Sequence, residues 1–249
     1  MVQYNPLQHL PSSLELPDSD DTPVDNELQI LVPTLLRAIL SWLWAERQDW
    51  FFGVNMGVYY DPKQPAIVPD GFLSLGVERR KGERGRLSYV LWEENLVVPQ
   101  LALEFVSRTY GQEYGDKLAL YAQMGVLYYV VYNPEYYRRD KHDPFEVYCL
   151  TDNEYVRQSG EPLWLPEIGL SIGRSIGNFE GWNREWLYWY DQQGSRFPSP
   201  DERTQQAQHD LLQERQRAEI ERQRAEIERR RAEELIAKLR ERGIDPNAL

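Results

Sequence analysis

The strongest constraint on the fold is a strand–helix–strand pattern between residues 101 and 132. Residues 101–106 and 126–132 are short and almost wholly apolar, which is typical of central strands covered on both faces. Between them, residues 112–123 place apolar side chains on one side of a predicted helix, and Gly125 suits the left-handed residue that ends a helix. The unit is long enough for a parallel crossover. The pattern predicts an α/β domain with a mixed central sheet flanked by helices.

Periodicity predicts the other elements of this domain. Beyond a cap at Asp25 or Asn26, apolar side chains recur every four residues and predict an amphipathic helix to about Gln48. Pro33 lies too deep for the first helical position, so the helix is expected to start late or to kink there. Alternating side chains then predict strands at about residues 50–60, 71–76, 87–92, 99–106, 144–150 and 153–157, before an aromatic-rich segment from Trp182 to Tyr190.

Composition divides the chain into three parts. Residues 1–24 form an acidic arm, residues 25–197 the α/β domain, and residues 198–249 a linker and a charged helix. In the last part, a seven-residue Glu/Arg repeat begins at Glu214, but the Ala and Ile of each repeat lie about 200° apart around a helix. Because they form no single apolar seam, the repeat predicts a solvated helix braced by ion pairs, with weak homo-oligomerisation as the alternative.

The charge of the chain limits its interactions with nucleic acid. The formal net charge of −12 counts against binding through bulk electrostatics. This charge is unevenly distributed, with −6 in residues 1–28, −5 in residues 29–200 and −1 in residues 201–249. Bases gather at residues 79–86 and 138–141, so we expect weak, local contact with phosphates. The loop at 79–86 is either such a contact or a solvated connection between strands.

The cellular compartment is suggested by what the sequence lacks. Its single cysteine, Cys149, cannot form an internal disulfide, which is typical of a reduced environment. The polar, acidic N-terminus does not resemble a signal peptide, and the most apolar stretch is shorter than the roughly 20 residues of a membrane span. These features predict a cytoplasmic protein that does not bind membranes.

Carboxylates are the plausible catalytic groups. Phosphate-binding and dinucleotide-binding glycine motifs are absent, and the histidines at positions 9, 142 and 209 lack metal-ligand spacing. Asp70 lies at the entry to a predicted strand, while Glu104 interrupts the most apolar strand, where burying a carboxylate costs several kcal/mol unless it is compensated. Two oxygen ligands from neighbouring strands suit Mg²⁺.

Each of these residues also has a simple structural interpretation. Asp70 after Pro69 can bond its own backbone in a turn, Glu104 can pair with Lys117 or Arg108, and Lys117 can lie on a solvated helix face. Likewise, the tyrosines and tryptophans at strand alternation are typical of a core, although they can also stack on bases or form a subunit interface. These aromatic residues are Tyr128, Tyr129, Tyr132, Tyr136, Tyr137, Trp182, Trp186 and Trp189.

Four short motifs, in order, resemble the Uma2 family of endonucleases, which has the PD-(D/E)xK restriction-nuclease-like fold and is abundant in cyanobacteria. The motifs are Pro69-Asp70, residues 103–107 (LEFVS), residues 115–121 (GDKLALY) and residues 125–129 (GVLYY), with Trp92-Glu93-Glu94 between the first two. The resemblance covers about residues 15–195. One position departs from the plain motif, because Val106 stands where a lysine is usual and Lys117, on the following helix, takes its place.

The resemblance implies metal-assisted hydrolysis of DNA phosphodiester bonds. It assigns Mg²⁺, or Mn²⁺, to Asp70 and Glu104, and it gives Lys117 the role of orienting the nucleophile or stabilising developing charge. Glu27, at the start of the first helix, is a possible additional acid. Two alternatives remain open: a catalytically silent nuclease-fold protein that acts as an interaction module, and a hydrolase of a phosphodiester other than nucleic acid.

Overall fold

The computed structural model describes residues 10–17, 26–108 and 112–241, and the chain divides into two compact units, one ending at Pro200 and the next beginning at Asp201. The first unit contains, in chain order, α1 (Leu28–Leu43), β1 (Trp50–Val54), β2 (Val58–Tyr59), β3 (Gly71–Leu75), β4 (Tyr89–Val90), a 3₁₀ turn (Leu91–Glu93), β5 (Leu101–Phe105), α2 (Asp116–Met124), β6 (Tyr128–Tyr132), α3 (Tyr137–Asp140), β7 (Phe145–Thr151), β8 (Glu154–Arg157), β9 (Leu163–Leu165), β10 (Leu170–Phe179) and β11 (Trp182–Tyr190). The second unit is formed by α4 (Pro200–Glu241).

The central element is a six-stranded mixed sheet with the order β1-β3-β5-β6-β7-β8. Only β5 and β6 are parallel to each other, and α2 connects them. All other neighbours in this sheet are antiparallel. A three-stranded antiparallel sheet, β11-β10-β9, and the parallel pair β2-β4 accompany it. The predicted mixed central sheet with flanking helices and a C-terminal helix is therefore confirmed.

Hydrophobic cores cover both faces of the six-stranded sheet. Because side chains alternate along a strand, Leu101, Leu103 and Phe105 of β5 pack with α1 and the β9–β11 sheet. Ala102 and Val106 pack in the other core, with Tyr121 of α2. The same alternation places Glu104 on the α2 face. The central strand is thus covered on both sides, as its sequence predicts, and Glu104 is the charged residue within it.

Helix α1 is one element from Leu28 to Leu43, so the prediction that it starts late at Pro33 is wrong. The side chain of Asn26 accepts hydrogen bonds from the amides of Leu28 and Gln29, at 2.9 and 3.3 Å. Pro33 removes one internal hydrogen bond, and burial of the apolar face offsets this loss. The other candidate cap, Asp25, lies outside the described residues.

The chain leaves α1 earlier than the predicted end near Gln48. A turn after Leu43 brings Trp44 against Trp50, with ring centroids 5.4 Å apart, and the Trp50 indole donates to the carbonyl of Arg47 at 3.1 Å. These contacts are made only when the chain reverses. Tertiary packing of aromatic residues therefore ends the helix.

Two predicted strands are shorter than their alternation suggests. The stretch 50–60 is interrupted at Asn55, whose φ of 47° is left-handed and whose amide donates to the carbonyl of Asp70 at 3.0 Å. The chain therefore leaves the central sheet and enters a different one as β2. Only Tyr89–Val90 of the stretch 87–92 is a strand. Alternation in the sequence indicates which side chains share a face of a strand. It does not indicate where hydrogen bonding to the neighbouring strand stops, and this sets the length of the strand.

The aromatic segment near the end of the first unit is a strand, β11, which pairs with β10 over nine residue pairs. Trp186 and Trp189 are buried in the core, and the Trp189 indole donates to the carbonyl of Leu36 at 3.0 Å. Tyr129 and Tyr132 are also fully buried. The interpretation of these residues as core is confirmed, while Trp182 remains 45% exposed.

The second unit is a long, solvated helix. Its large apolar residues are exposed, including Ile220 and Ile227, which are 50% and 51% exposed. Glu226 pairs with Arg230 at 2.7 Å, one helical turn away. Such an exposed pair contributes roughly 0.3–0.5 kcal/mol to helix stability, so each ion pair stabilises the helix only slightly. No helix among the described residues has both the length and the apolar character needed to cross a membrane.

Candidate active site

Asp70 and Glu104 meet at one edge of the central sheet. Antiparallel pairing of Gly71 with Leu103 places Asp70, the residue before β3, beside Glu104, near the end of β5. Asp70 Oδ2 accepts a hydrogen bond of 2.6 Å from the amide of Phe105. The two acids are only 6% and 1% exposed. Two strands distant in sequence thus bring two carboxylates into a buried position.

Helix α2 supplies the groups that compensate Glu104. Lys117 Nζ lies 2.8 Å from Glu104 Oε2, and the hydroxyl of Tyr121 donates to Oε1 at 2.6 Å. Residues four apart share one helix face, so both point towards the sheet. The Lys117 side chain is 30% exposed, which leaves part of it accessible from solvent. Lys117 therefore reaches inward and does not lie on a wholly solvated face.

Burial shifts the pKa of both acids upward. Desolvation is the largest cause of the raised pKa of Asp70, and the charge of Glu104 raises it further, while the Phe105 amide and Lys117 oppose the shift. Desolvation likewise raises the pKa of Glu104, against the influence of Lys117 and Tyr121. Both acids are therefore costly to ionise, and an additional cation at this position would lower that cost.

Lys117 responds in the opposite way. Burial lowers its pKa, but the negative charges of Glu104, Asp70 and Glu113 outweigh burial, so the pKa of Lys117 is raised. The lysine is consequently a permanent cation at neutral pH and does not serve as a general base. It can balance the charge of one ionised acid, so ionising the second acid as well would leave an excess of negative charge.

Glu113 and Tyr121 are site residues to which the sequence assigned no role. Glu113 is 3% exposed, and its charge influences the pKa of Asp70, Glu104 and Lys117. Tyr121 is 1% exposed and binds Glu104 directly. Spacing could have found Tyr121, which lies four residues after Lys117 in α2, but not Glu113, which precedes the helix.

The donor set fits a divalent cation held by two carboxylates. Asp70 accepts its hydrogen bond through Oδ2, and Oδ1 receives none from the described residues. Mg²⁺ prefers oxygen ligands and commonly binds one or two carboxylates while keeping several waters. Across residues 10–17, 26–108 and 112–241, no three His, Cys, Asp or Glu side chains form a group that could hold a metal ion, and Asp70 and Glu104 are a pair of carboxylates. Glu27 is exposed at the start of α1 and does not complete a group of three.

Val106 has a structural role. It is fully buried in the core on the α2 face and its amide bonds the carbonyl of Tyr132 at 2.9 Å. A lysine there would place its charge among apolar side chains. Lys117 approaches Glu104 from the helix instead, which explains how a lysine reaches the acids although the strand carries valine.

Most bases of the loop at residues 79–86 bind other side chains of the same domain. The Arg86 side chain is 2% exposed and bonds both carboxylate oxygens of Glu94, at 2.9 and 3.0 Å. Lys81 Nζ also lies 2.9 Å from Glu94, and the Arg79 guanidinium stacks 3.8 Å from the Trp50 ring centroid. Arg80 and Arg84 are the exposed bases of this loop.

The chain is an α/β protein with a mixed central sheet and a buried acid–lysine cluster. The model of the Uma2 family, described as "Putative restriction endonuclease", matches residues 20–176, which is more than half of the chain. The chain belongs to the Uma2 family.

A solved structure from Anabaena variabilis ATCC 29413, described as a "putative nuclease belonging to DUF820", is similar to this chain with a TM-score of 0.40 and 12% sequence identity. The similarity covers 58% of this chain and 74% of that one. Comparison with curated proteins gave no match.

Proposed function

We propose that this protein is a divalent-metal-dependent endonuclease that hydrolyses phosphodiester bonds in DNA. The observation that carries the proposal is the convergence of Asp70, Glu104 and Lys117 at one sheet edge, where two buried acids share one lysine and a metal ion would lower the cost of ionising both. Membership of the Uma2 family supports the nuclease class. DNA as the substrate and Mg²⁺ or Mn²⁺ as the cofactor are part of the proposal.

Asp70 and Glu104 would hold the metal ion. A bound Mg²⁺ or Mn²⁺ supplies a water of lowered pKa and neutralises charge on the phosphate. Lys117, a cation 2.8 Å from Glu104, holds the carboxylate in place and provides positive charge beside the reacting phosphate. Tyr121 fixes the other oxygen of Glu104. The apolar surroundings strengthen these electrostatic interactions because they exclude water.

Cleavage assays with the purified chain test the proposal. Supercoiled plasmid and branched DNA should be cleaved in Mg²⁺ or Mn²⁺ and remain intact in EDTA, and RNA in the same assay tests the choice of substrate. The Asp70→Asn protein, purified in parallel, controls for contaminating nucleases. Equal cleavage in EDTA and in Mg²⁺, or equal cleavage by both proteins, would contradict the proposal.

A catalytically silent interaction module is the second candidate. One observation favours it: both carboxylate oxygens of Glu104 already accept hydrogen bonds, from Lys117 and Tyr121. With both oxygens hydrogen-bonded, the Glu104 carboxylate can remain buried in the folded protein without a metal ion. Isothermal calorimetry separates the two candidates, because failure to bind Mg²⁺ or Mn²⁺ at millimolar concentration would favour the silent module.

Replacement of Tyr121 by Phe should weaken the response to metal while preserving the fold. The ring keeps its packing on Tyr129, whose centroid is 5.0 Å away, but Glu104 loses one of the two donors that orient it. Loss of such a supporting hydrogen bond typically costs about 10–100-fold in metal affinity. We therefore expect the Mg²⁺ concentration for half-maximal cleavage to rise by about 10-fold or more, with recovery of the rate at saturating Mg²⁺.

Metal titrations of cleavage measure this effect, and thermal denaturation checks the fold. Tyr155→Phe is a matched control, because it removes a half-buried hydroxyl that donates to the carbonyl of Val126 at 2.7 Å, outside the candidate site. An unchanged Mg²⁺ requirement in Tyr121→Phe would show that Tyr121 only supports packing.

A further inference from the structure

Exposed bases lie at the same sheet edge as the acidic site. Glu104 is the next-to-last residue of β5, and Arg108 follows three residues after the strand ends. The parallel neighbour β6 ends at the same edge, and α3 follows it with Arg138 in the helix and Lys141 directly after. The chain order and the parallel pairing therefore bring Arg108, Arg138 and Lys141 to the edge where Glu104 lies.

Hydrogen bonds connect these segments to one another. Arg139 donates to the carbonyl of Arg108 at 2.8 Å, which joins α3 to the segment after β5. Asn133 donates to Asp140 at 2.9 Å and to the hydroxyl of Tyr114 at 3.2 Å, and its side chain accepts from the amide of Tyr136 at 2.9 Å. Because Tyr114 precedes α2 by two residues, α3 is held beside the start of the helix that carries Lys117.

Electrostatics supports this proximity. The charge of Glu113 acts on Asp70, Glu104 and Lys117 in the site, and also on Arg139 in α3. A single buried acid can influence both groups only if they lie within a short distance of it.

The bases at this edge differ from most of those in the loop at residues 79–86. Arg108, Arg138 and Lys141 are exposed, and none forms an ion pair with any described residue. The acids Asp140 and Asp143 are already paired, with Arg139 and Arg157. Glu135 and Asp116 are exposed nearby as well, so the exposed groups without an ion pair among the described residues at this edge are three bases and two acids.

We propose that Arg108, Arg138 and Lys141 contact the phosphate backbone of the nucleic acid and position it for the Asp70–Glu104 site. The inference rests on the proposed function and names the surface by which the substrate enters. Contacts to phosphate fix the register of a nucleic acid without reading its sequence. Three such contacts on an acidic protein give weak, salt-dependent binding that does not depend on base sequence.

Binding measurements in a cleavage-deficient background test this surface. We use the full chain with Asp70→Asn and a fluorescein-labelled DNA duplex, and measure fluorescence anisotropy in Mg²⁺ at several salt concentrations. Combining Arg108→Gln, Arg138→Gln and Lys141→Gln should weaken binding about 10-fold or more. The slope of log affinity against log salt should become shallower by about 2 to 3 units, since each phosphate contact contributes about 0.9. Arg80→Gln combined with Arg84→Gln is the matched control and should bind like its parent.

The outcomes separate this inference from the proposed function. Unchanged binding in the triple variant, or an equal loss in the Arg80/Arg84 control, would overturn the assigned surface even if the wild-type chain cleaves DNA. Loss of binding confined to the triple variant would support the surface even if the wild-type chain failed to cleave. Arg108→Lys with Arg138→Lys retains the charge and should keep most of the affinity, whereas a loss equal to that of the triple variant would argue against phosphate contact.

Discussion

The Asp70→Asn protein should lose cleavage activity and gain stability. The substitution removes one of the two proposed metal ligands, and a bound metal ion contributes several kcal/mol to the stabilisation of the transition state. We expect a loss of about 10³-fold in the rate of plasmid cleavage. The amide oxygen of Asn can still accept the hydrogen bond from Phe105, which lies 2.6 Å from Asp70 Oδ2, so the local backbone keeps its partner.

The gain in stability follows from the direction of the pKa shift. Burial and the charge of Glu104 raise the pKa of Asp70 in the folded protein. The stabilising contribution of the protonated acid is present below the ordinary pKa and is lost as the pH rises through the raised pKa. Asn does not ionise, so the variant should be about 1–2 kcal/mol more stable at pH 8, or roughly 3–6 °C in Tm. The difference should shrink towards pH 4.

Thermal denaturation from pH 4 to pH 8, with and without Mg²⁺, measures both effects. Mg²⁺ should raise the Tm of the wild-type chain more than that of the variant, because a ligand stabilises the state that binds it. Asp152→Asn makes the same chemical change at an exposed turn between β7 and β8 and should alter neither activity nor stability appreciably. A variant of Asp70 that is less stable than wild type at pH 8 would contradict the electrostatic description of the site.

Lys117→Met should damage both stability and catalysis. It leaves Glu104 without its ion-pair partner at 2.8 Å, and the remaining acids of the site face one another without a protein cation. Removing one partner of a buried pair costs about 3–5 kcal/mol, and the partial exposure of Lys117 places the expected loss nearer 2–3 kcal/mol at pH 8. Loss of a positioned cation should reduce cleavage by about 10²–10³-fold.

The pH dependence identifies the cause of this loss. As the pH falls, the acids become protonated and the cost of removing Lys117 should decrease, so the variant should approach wild-type stability near pH 4. Lys117→Arg retains the charge and should keep most of the stability, although the larger guanidinium alters the geometry. Denaturation curves and cleavage rates for both variants, with exposed Lys63→Met as the control, provide the test. A loss of stability in Lys117→Met that is independent of pH would indicate packing and not charge.

The central strands and their two-sided burial could be predicted from sequence because local periodicity records them. The almost wholly apolar runs at 101–106 and 126–132 correspond to β5 and β6, and the helix between them is α2. The ends of elements were less predictable. The interruption at Asn55 and the early end of α1 depend on contacts with Asp70 and Trp50, which are distant or later in the chain.

The candidate site was predictable as a set of residues but not as an arrangement. Glu104 is visible in the sequence because a carboxylate in an apolar strand requires compensation. Its simplest structural interpretation, pairing with Lys117, is also observed, and the position of Asp70 beside this pair is the observation behind the proposed metal site. The sequence predicted that the bases of the 79–86 loop contact phosphate or solvent. In the structure, two of these five bases form ion pairs with Glu94.

By itself, the sequence determined the mixed sheet around a parallel crossover, the solvated charged helix and the identity of the residues able to carry chemistry. These features follow from local composition and from the periods of strands and helices. Only the tertiary structure decided that Asp70 lies beside Glu104, that Lys117 and Tyr121 point inward, and that Arg108 joins the bases of α3. The physical reason is that charge compensation depends on distances in space, and strand register sets those distances between residues far apart in the chain.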